Sequence, residues 1–148
     1  QGLTGVYRVR MIDTAAFSVS PGMVGFSDST YFDDGAGFYS VPTVVAAADA
    51  AIGATEIIVD ESTAPAPIAE GQIMSHNDYP FGVVSRFGSG SSVALSVQMP
   101  LRAEIQTGDL IDMVGTGLFE MVEAGAGRVA YGPELYGRPS LQLREWLR

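Results

Sequence analysis

Gly71-Gln72-Ile73-Met74 and Gly108-Asp109-Leu110-Ile111 lie 37 residues apart (108 − 71 = 37), and this echo decides the reading of the fold. Each stretch follows a strand-like run, a proline-containing loop and a short polar approach. The same offset carries Ile58 to Leu95. A turn glycine followed by apolar residues, repeated at one spacing, marks a duplicated strand–loop–turn–strand unit. One such unit leaves sheet edges open, and two that close on each other remove them. The expectation is an all-β fold, a small barrel or sandwich.

Working outward, residues 55–59 (Thr-Glu-Ile-Ile-Val) and 92–97 (Ser-Val-Ala-Leu-Ser-Val) read as strands, the second with clean alternation. Residues 72–75, 81–87, 110–114 and 118–122 give further extended stretches, separated by Pro, Gly and Ser punctuation. Residues 43–51 hold five alanines beside Val44 and Val45, so a short helix and a strand both fit. Upstream, residues 6–12 alternate around Arg8 and Arg10 as a half-buried strand, residues 15–19 return beside it, and residues 23–26 and 38–41 extend again. Downstream, glycines and prolines between 125 and 139 make a hinged extension. Ser140 is placed to cap a short helix over 141–148, with Leu141, Leu143, Trp146 and Leu147 needing cover. The organisation is a β body over 1–124 and an arm over 125–148. Within the body, residues 1–50 carry the N-terminal strands and an acidic loop, and residues 51–124 the barrel-like module.

The chain has 148 residues, 47% hydrophobic and 17% charged, as a folded domain does. No apolar run approaches the roughly 20 residues that cross a bilayer as a helix. Without cysteine, disulfides, thiolate metal sites and cysteine nucleophiles are excluded. All eight basic residues are Arg. The net charge of −9 divides into −11 over residues 1–127 (fifteen acidic, four basic) and +2 over residues 128–148 (four basic, two acidic). An acidic body repels phosphate backbones, which argues against nucleic acid as partner. The basic end suits an acidic neighbour, including another copy of the body. Gln1 is the expected product of processing or renumbering, since Met is not ordinarily removed before so bulky a residue.

Little in the chain calls for catalysis. His76 is the single histidine, in His76-Asn77-Asp78-Tyr79-Pro80, which reads as a polar turn. A Ser75–His76–Asp78 triad lacks the glycine-flanked nucleophile turn. The glycine stretches 88–90 and 115–117 lack the Lys-Ser/Thr ending of a phosphate loop. Asp28, Asp33 and Asp34 are candidate oxygen ligands for calcium, although their spacing departs from the twelve-residue calcium loop; the plainer expectation is a solvated loop and no cofactor. Tyr31 and Phe32, with Phe38 and Tyr39, form a candidate contact patch. The residues expected to touch a partner are Arg138, Leu141, Arg144, Trp146, Leu147, Tyr31 and Phe32.

The run Ala51-Ile52-Gly53-Ala54-Thr55-Glu56-Ile57-Ile58-Val59, then Pro67-Ile68-Ala69-Glu70-Gly71-Gln72-Ile73-Met74, Ser92–Val97, Pro100-Leu101 and Gly108-Asp109-Leu110-Ile111, resembles a module common in tailed-bacteriophage virion proteins. These include capsid decoration and tail-associated subunits. The likeness covers about residues 50–114. It implies a non-enzymatic structural protein of the virion, assembled in the host cytoplasm, with the major capsid protein and copies of itself as partners and no membrane. A compact β body would sit on the lattice while a terminus reaches to neighbours. Two readings stand beside it: a subunit of an extracellular filament or adhesive, joined by strand addition through residues 6–12, and a carbohydrate-binding module.

Overall fold

The computed structural model describes residues 5–11, 22–24, 38–122 and 142–146. Every regular element among them is a strand: β1 Val6–Arg10, β2 Gly22–Val24, β3 Phe38–Ser40, β4 Thr43–Ala46, β5 Glu56–Asp60, β6 Ile73–His76, β7 Tyr79–Ser89, β8 Ser92–Val97, β9 Leu110–Asp112, β10 Thr116–Met121 and β11 Leu143–Glu145. The chain divides into two compact units, Arg10–Thr116 and the pair Gln1–Val9 with Gly117–Arg148.

The larger unit holds a closed antiparallel barrel in the order β4-β5-β8-β7-β6-β9, with β9 returning to β4. Its registers follow the sequence repeat. In β6–β7, Met74 faces Phe81 and Ser75 faces Pro80. Thirty-seven residues away, Ile111 faces Val44 and Asp112 faces Thr43 in β9–β4. The turn glycines behave alike. Gly71 N donates to Val83 O while Val83 N donates to Gln72 O; Gly108 N donates to Ala46 O while Ala46 N donates to Asp109 O. Both glycines have positive φ, +83° and +94°, which a side chain would strain. The repeats β4-β5-β6 and β7-β8-β9 are thus related by an internal twofold axis, on which Ser75 of β6 faces its own mate, Asp112 of β9.

The offset is 38 rather than 37 between β5 and β8. Ile57 and Leu95 oppose each other, both inward and buried, whereas Ile58 faces outward. The Ile58–Leu95 correspondence read from sequence is therefore one residue out. The second repeat carries an extra residue, Val84, at a bulge between Val83 and Ser85. Because side chains alternate, one residue decides inward against outward, and the bulge keeps Leu95 inside.

Alternation fills the barrel. Val44, Ile57, Val59, Met74, Phe81, Val83, Val93, Leu95 and Ile111 pack inward, with Ile68 and Ile105 supplied by equivalent positions of the two long loops. Burying one such side chain contributes about 1.5–3 kcal/mol. Pro80 lies within β7, not before it. Its missing N–H falls at a non-hydrogen-bonded register position and costs no ladder bond. Residues 43–46 resolve as strand because β5 and β9 flank them on both sides. β2 and β3 form a separate two-stranded ribbon.

In the smaller unit, β1, β10 and β11 form a three-stranded sheet in that order. The helix expected over 141–148 is corrected: residues 143–145 are a strand, with Leu143, Arg144 and Glu145 opposite Met121, Glu120 and Phe119. So short a helix would leave most of its terminal carbonyls and amides unpaired, while the ladder pairs them. Trp146 N adds a bond to Leu118 O at 2.7 Å. The expected strand at 15–19, the acidic loop with Asp28, Asp33, Asp34, Tyr31 and Phe32, and Arg138, Leu141 and Leu147 lie outside the described residues.

Candidate functional site

Two features of the larger unit depart from plain packing, and each arises from strand alternation. The first is His76. It ends β6, and Asn77 and Asp78 turn the chain with φ of 51° and 63°, the two positive values of a tight two-residue hairpin. Successive residues of β6 point to opposite faces, so Ser75 and His76 part company. Ser75 Oγ lies 3.1 Å from Thr116 Oγ1 and accepts from Thr116 N at 3.0 Å, and Thr116 Oγ1 donates to Asp78 Oδ1 at 3.2 Å. The Ser75–His76–Asp78 triad is not assembled.

His76 turns to the inner face and is only 7% exposed. Its Nε2 lies 3.3 Å from Asp109 Oδ2, and Asn77 Nδ2 stands 3.3 Å from the same nitrogen. Asp109 also caps its own loop by accepting from Gln106 N at 2.9 Å. The Asn77 amide can only donate and the Asp109 carboxylate can only accept, so the two contacts at Nε2 select opposite tautomers of the ring. Nδ1 is buried without a partner, a cost of about 1–3 kcal/mol. The ring lines a narrow cleft of about 10 Å³, room for about one water, with Pro80, Phe81, Pro100, Leu101, Arg102 and Ile105. Across Ile105 is a second groove, along Asp49, Ala50, Glu104 and Gln106. There Asp49 Oδ1 accepts from Thr107 N and Oγ1, both at 2.7 Å. These bonds, the backbone one first, hold the Asp49 carboxyl below its ordinary range.

The dyad counterpart of His76 is Met113, fully buried in the core. Its backbone carbonyl accepts from the buried Gln72 side chain at 2.7 Å. Elsewhere in the barrel another polar group is buried with full compensation on the acid side: Glu61 accepts from Ile68 N at 3.1 Å and pairs with Arg86.

The second feature is an apolar row on the outer face. Phe87 of β7 faces Ala94 of β8, Ala94 faces Ile58 of β5, and Ala47 N bonds to Ile58 O at the next strand. The row crosses three strands, reaches the residue just past β4, and ends in Phe87, which is 84% exposed. Glu56 and Asp60 flank Ile58 on the same face of β5. Asp60 accepts from Ser62 N at 2.8 Å, and bonds from Ser62 hold its carboxyl below the ordinary range.

Of the residues expected to touch a partner, Arg144 and Trp146 are described. Arg144 pairs with Glu120 across β10–β11, and Trp146 is 41% exposed. Phe87, Arg102 and Asp109 were missed. Phe87 was detectable, since it shares a period-2 face with Ser85 just before the Gly88-Ser89-Gly90 turn; Asp109 meets His76 only through the fold. No protein-family model, curated protein or solved structure matches this chain.

Proposed function

We propose that this chain is a structural subunit of a tailed-phage virion, binding and stabilising the capsid or tail lattice through protein contacts rather than catalysing a reaction. The observation that carries the reading is the outer row Phe87–Ala94–Ile58–Ala47 on a closed barrel. An exposed aromatic at the end of an apolar row is an anchor that a partner pocket can desolvate, and such anchors dominate interface energy. A closed barrel holds it without strand edges of its own to aggregate. The flanking Glu56 and Asp60 favour a partner surface carrying basic groups, and they disfavour nucleic acid. The major capsid protein and further copies of this chain are the partners in this reading, and the virion is its location.

The test is co-expression with tailed-phage capsid and tail proteins, followed by electron microscopy and heat challenge of the particles. The chain should decorate the lattice and raise its resistance to heat, and Phe87→Asp should abolish both. Particles without the chain, or an undiminished Phe87→Asp variant, would sink the reading. A second reading, a filament joined by strand addition, is favoured by β1, which is an outer strand of its sheet. It requires concentration-dependent polymers in light scattering.

A further inference from the structure

We propose that two copies of this chain exchange their barrel repeats, closing a swapped dimer hinged at Asn77-Asp78. Among the described residues, positive φ falls at Gly53, Gly71, Gly88, Gly90 and Gly108, where no side chain is strained, and otherwise at Asn77 and Asp78 alone. Those two are consecutive. They are the whole link between β6, which ends the first repeat, and β7, which opens the second. A hairpin of this kind needs positive φ at both central residues. Asparagine suits the first place, but the second ordinarily takes glycine and here carries Asp78. The hairpin inside the second repeat, β7–β8, turns at Gly90 instead. The strain therefore sits at the turn that joins the repeats and not at the turn within one.

The barrel requires its repeats to meet, and not that they belong to one chain. The ladders β4–β9, β5–β8, β6–β7 and β6–β9 each run between residues 43–76 and 79–112, and the β1–β10 pairing spans the same link. All of them can form, in the same registers, between the first half of one copy and the second half of another. Two side-chain contacts of the turn each stay on their own side of it: Asn77 Nδ2 reaches His76 at 3.3 Å, and Asp78 accepts from Thr116 Oγ1 at 3.2 Å. Both survive its opening.

In the exchanged form the link runs straight, β6 and β7 become one strand, and the left-handed φ values are relieved in each copy. A short hinge under strain favours exchange, because every other contact is remade. Bringing two chains together opposes it, so concentration sets the balance. The partner is a second copy of this chain, and the inference stands independently of the lattice reading.

The chain has no cysteine, so an introduced pair reports which chain each repeat belongs to. Glu56 and Ser96 face each other across β5–β8, one in each repeat, on the outer face. Glu56→Cys with Ser96→Cys sets two thiols at a cross-strand spacing that a disulfide spans. In a single copy the disulfide lies within one chain, whereas in the exchanged dimer two disulfides join two chains. The full-length variant is unfolded in urea, refolded at low and at high concentration, oxidised and separated by gel filtration. A dimer should grow with refolding concentration and run as two joined chains on a denaturing gel without reductant. The parent refolded alongside should give the same dimer share by light scattering. Asp78→Gly, which relieves the turn, should lower that share at least about threefold in either background. The proposal is overturned if no dimer forms at either concentration, if the dimer releases single chains on the gel, or if Asp78→Gly falls short of that reduction.

Discussion

Glu61 offers the sharpest test of how the barrel is held together. It is an acid only 9% exposed, with one carboxylate oxygen accepting from the buried Ile68 N–H and the other paired with Arg86. Glu61→Ala removes both partners at once. The Ile68 amide is left without an acceptor, which costs about 1–3 kcal/mol. Arg86, about three-quarters buried and with its Nε already unpartnered, loses its counter-charge. Breaking a fully buried pair costs about 3–5 kcal/mol, and the partial exposure of Arg86 lowers that share. Together these give about 3–4 kcal/mol, a large part of the total stability of an ordinary domain. At this chain length that is a fall in Tm of about 10 °C. Urea unfolding followed by far-UV circular dichroism measures it. The double variant Glu61→Leu with Arg86→Met should regain the charge share, about 2 kcal/mol, while keeping the loss at the Ile68 amide. A single variant within 1 kcal/mol of the parent, or a double variant no better than the single, would refute the account.

Other expectations follow from the same geometry. Gly88→Ala should destabilise by more than about 1 kcal/mol in thermal unfolding, because φ is +99° and an added Cβ would stand 2.6 Å from the Ser92 carbonyl oxygen. Asp49 and Asp60 have folded pKa values depressed by their hydrogen bonds, so the stability they lend is present above the unfolded value and lost as pH falls through the folded one. Stability measured from pH 6 downward should therefore decline below about pH 4, and Asp49→Asn should flatten part of that decline. A fragment covering residues 42–116 should fold alone, giving a dispersed amide spectrum, since every member of the core cluster lies between Val44 and Met113. Trp146→Ala in the full chain should leave the unfolding of that barrel unchanged.

How far the fold was legible depended on range. The glycines at 71 and 108 announced the duplication because a positive-φ turn before a strand is a local demand that few residues meet. Strands β5, β8 and β9 were legible for the same reason: their alternation is written in consecutive residues. The phase slip at Val84 was not, because a bulge is defined against a partner strand. Residues 143–145 misled for a related reason. Leu141, Leu143, Trp146 and Leu147 fit a helix behind a Ser cap as well as a strand, and only the ladder to Glu120 decides. His76 was visible as the lone histidine but not as a buried one, because its burial and its Asp109 contact come from a loop 33 residues on (109 − 76 = 33). The outer row joins residues of three strands and the residue after a fourth, and has no signature in any one of them.

The two repeats do not sit side by side. Of the six ladders of the barrel, β5–β8, β7–β6, β6–β9 and β9–β4 join one repeat to the other. Neither repeat can therefore be finished before the other has been made. During synthesis the first three barrel strands emerge with open edges, and the last closure, Ile111 onto Val44, spans 67 residues (111 − 44 = 67). Closing so long a loop is slow, and unpaired edges are exposed while it is pending. The newborn chain passes its riskiest interval between the exit of β6 and the arrival of β9, and slowing the ribosome across that stretch should raise the aggregated fraction more than slowing it anywhere after Asp112.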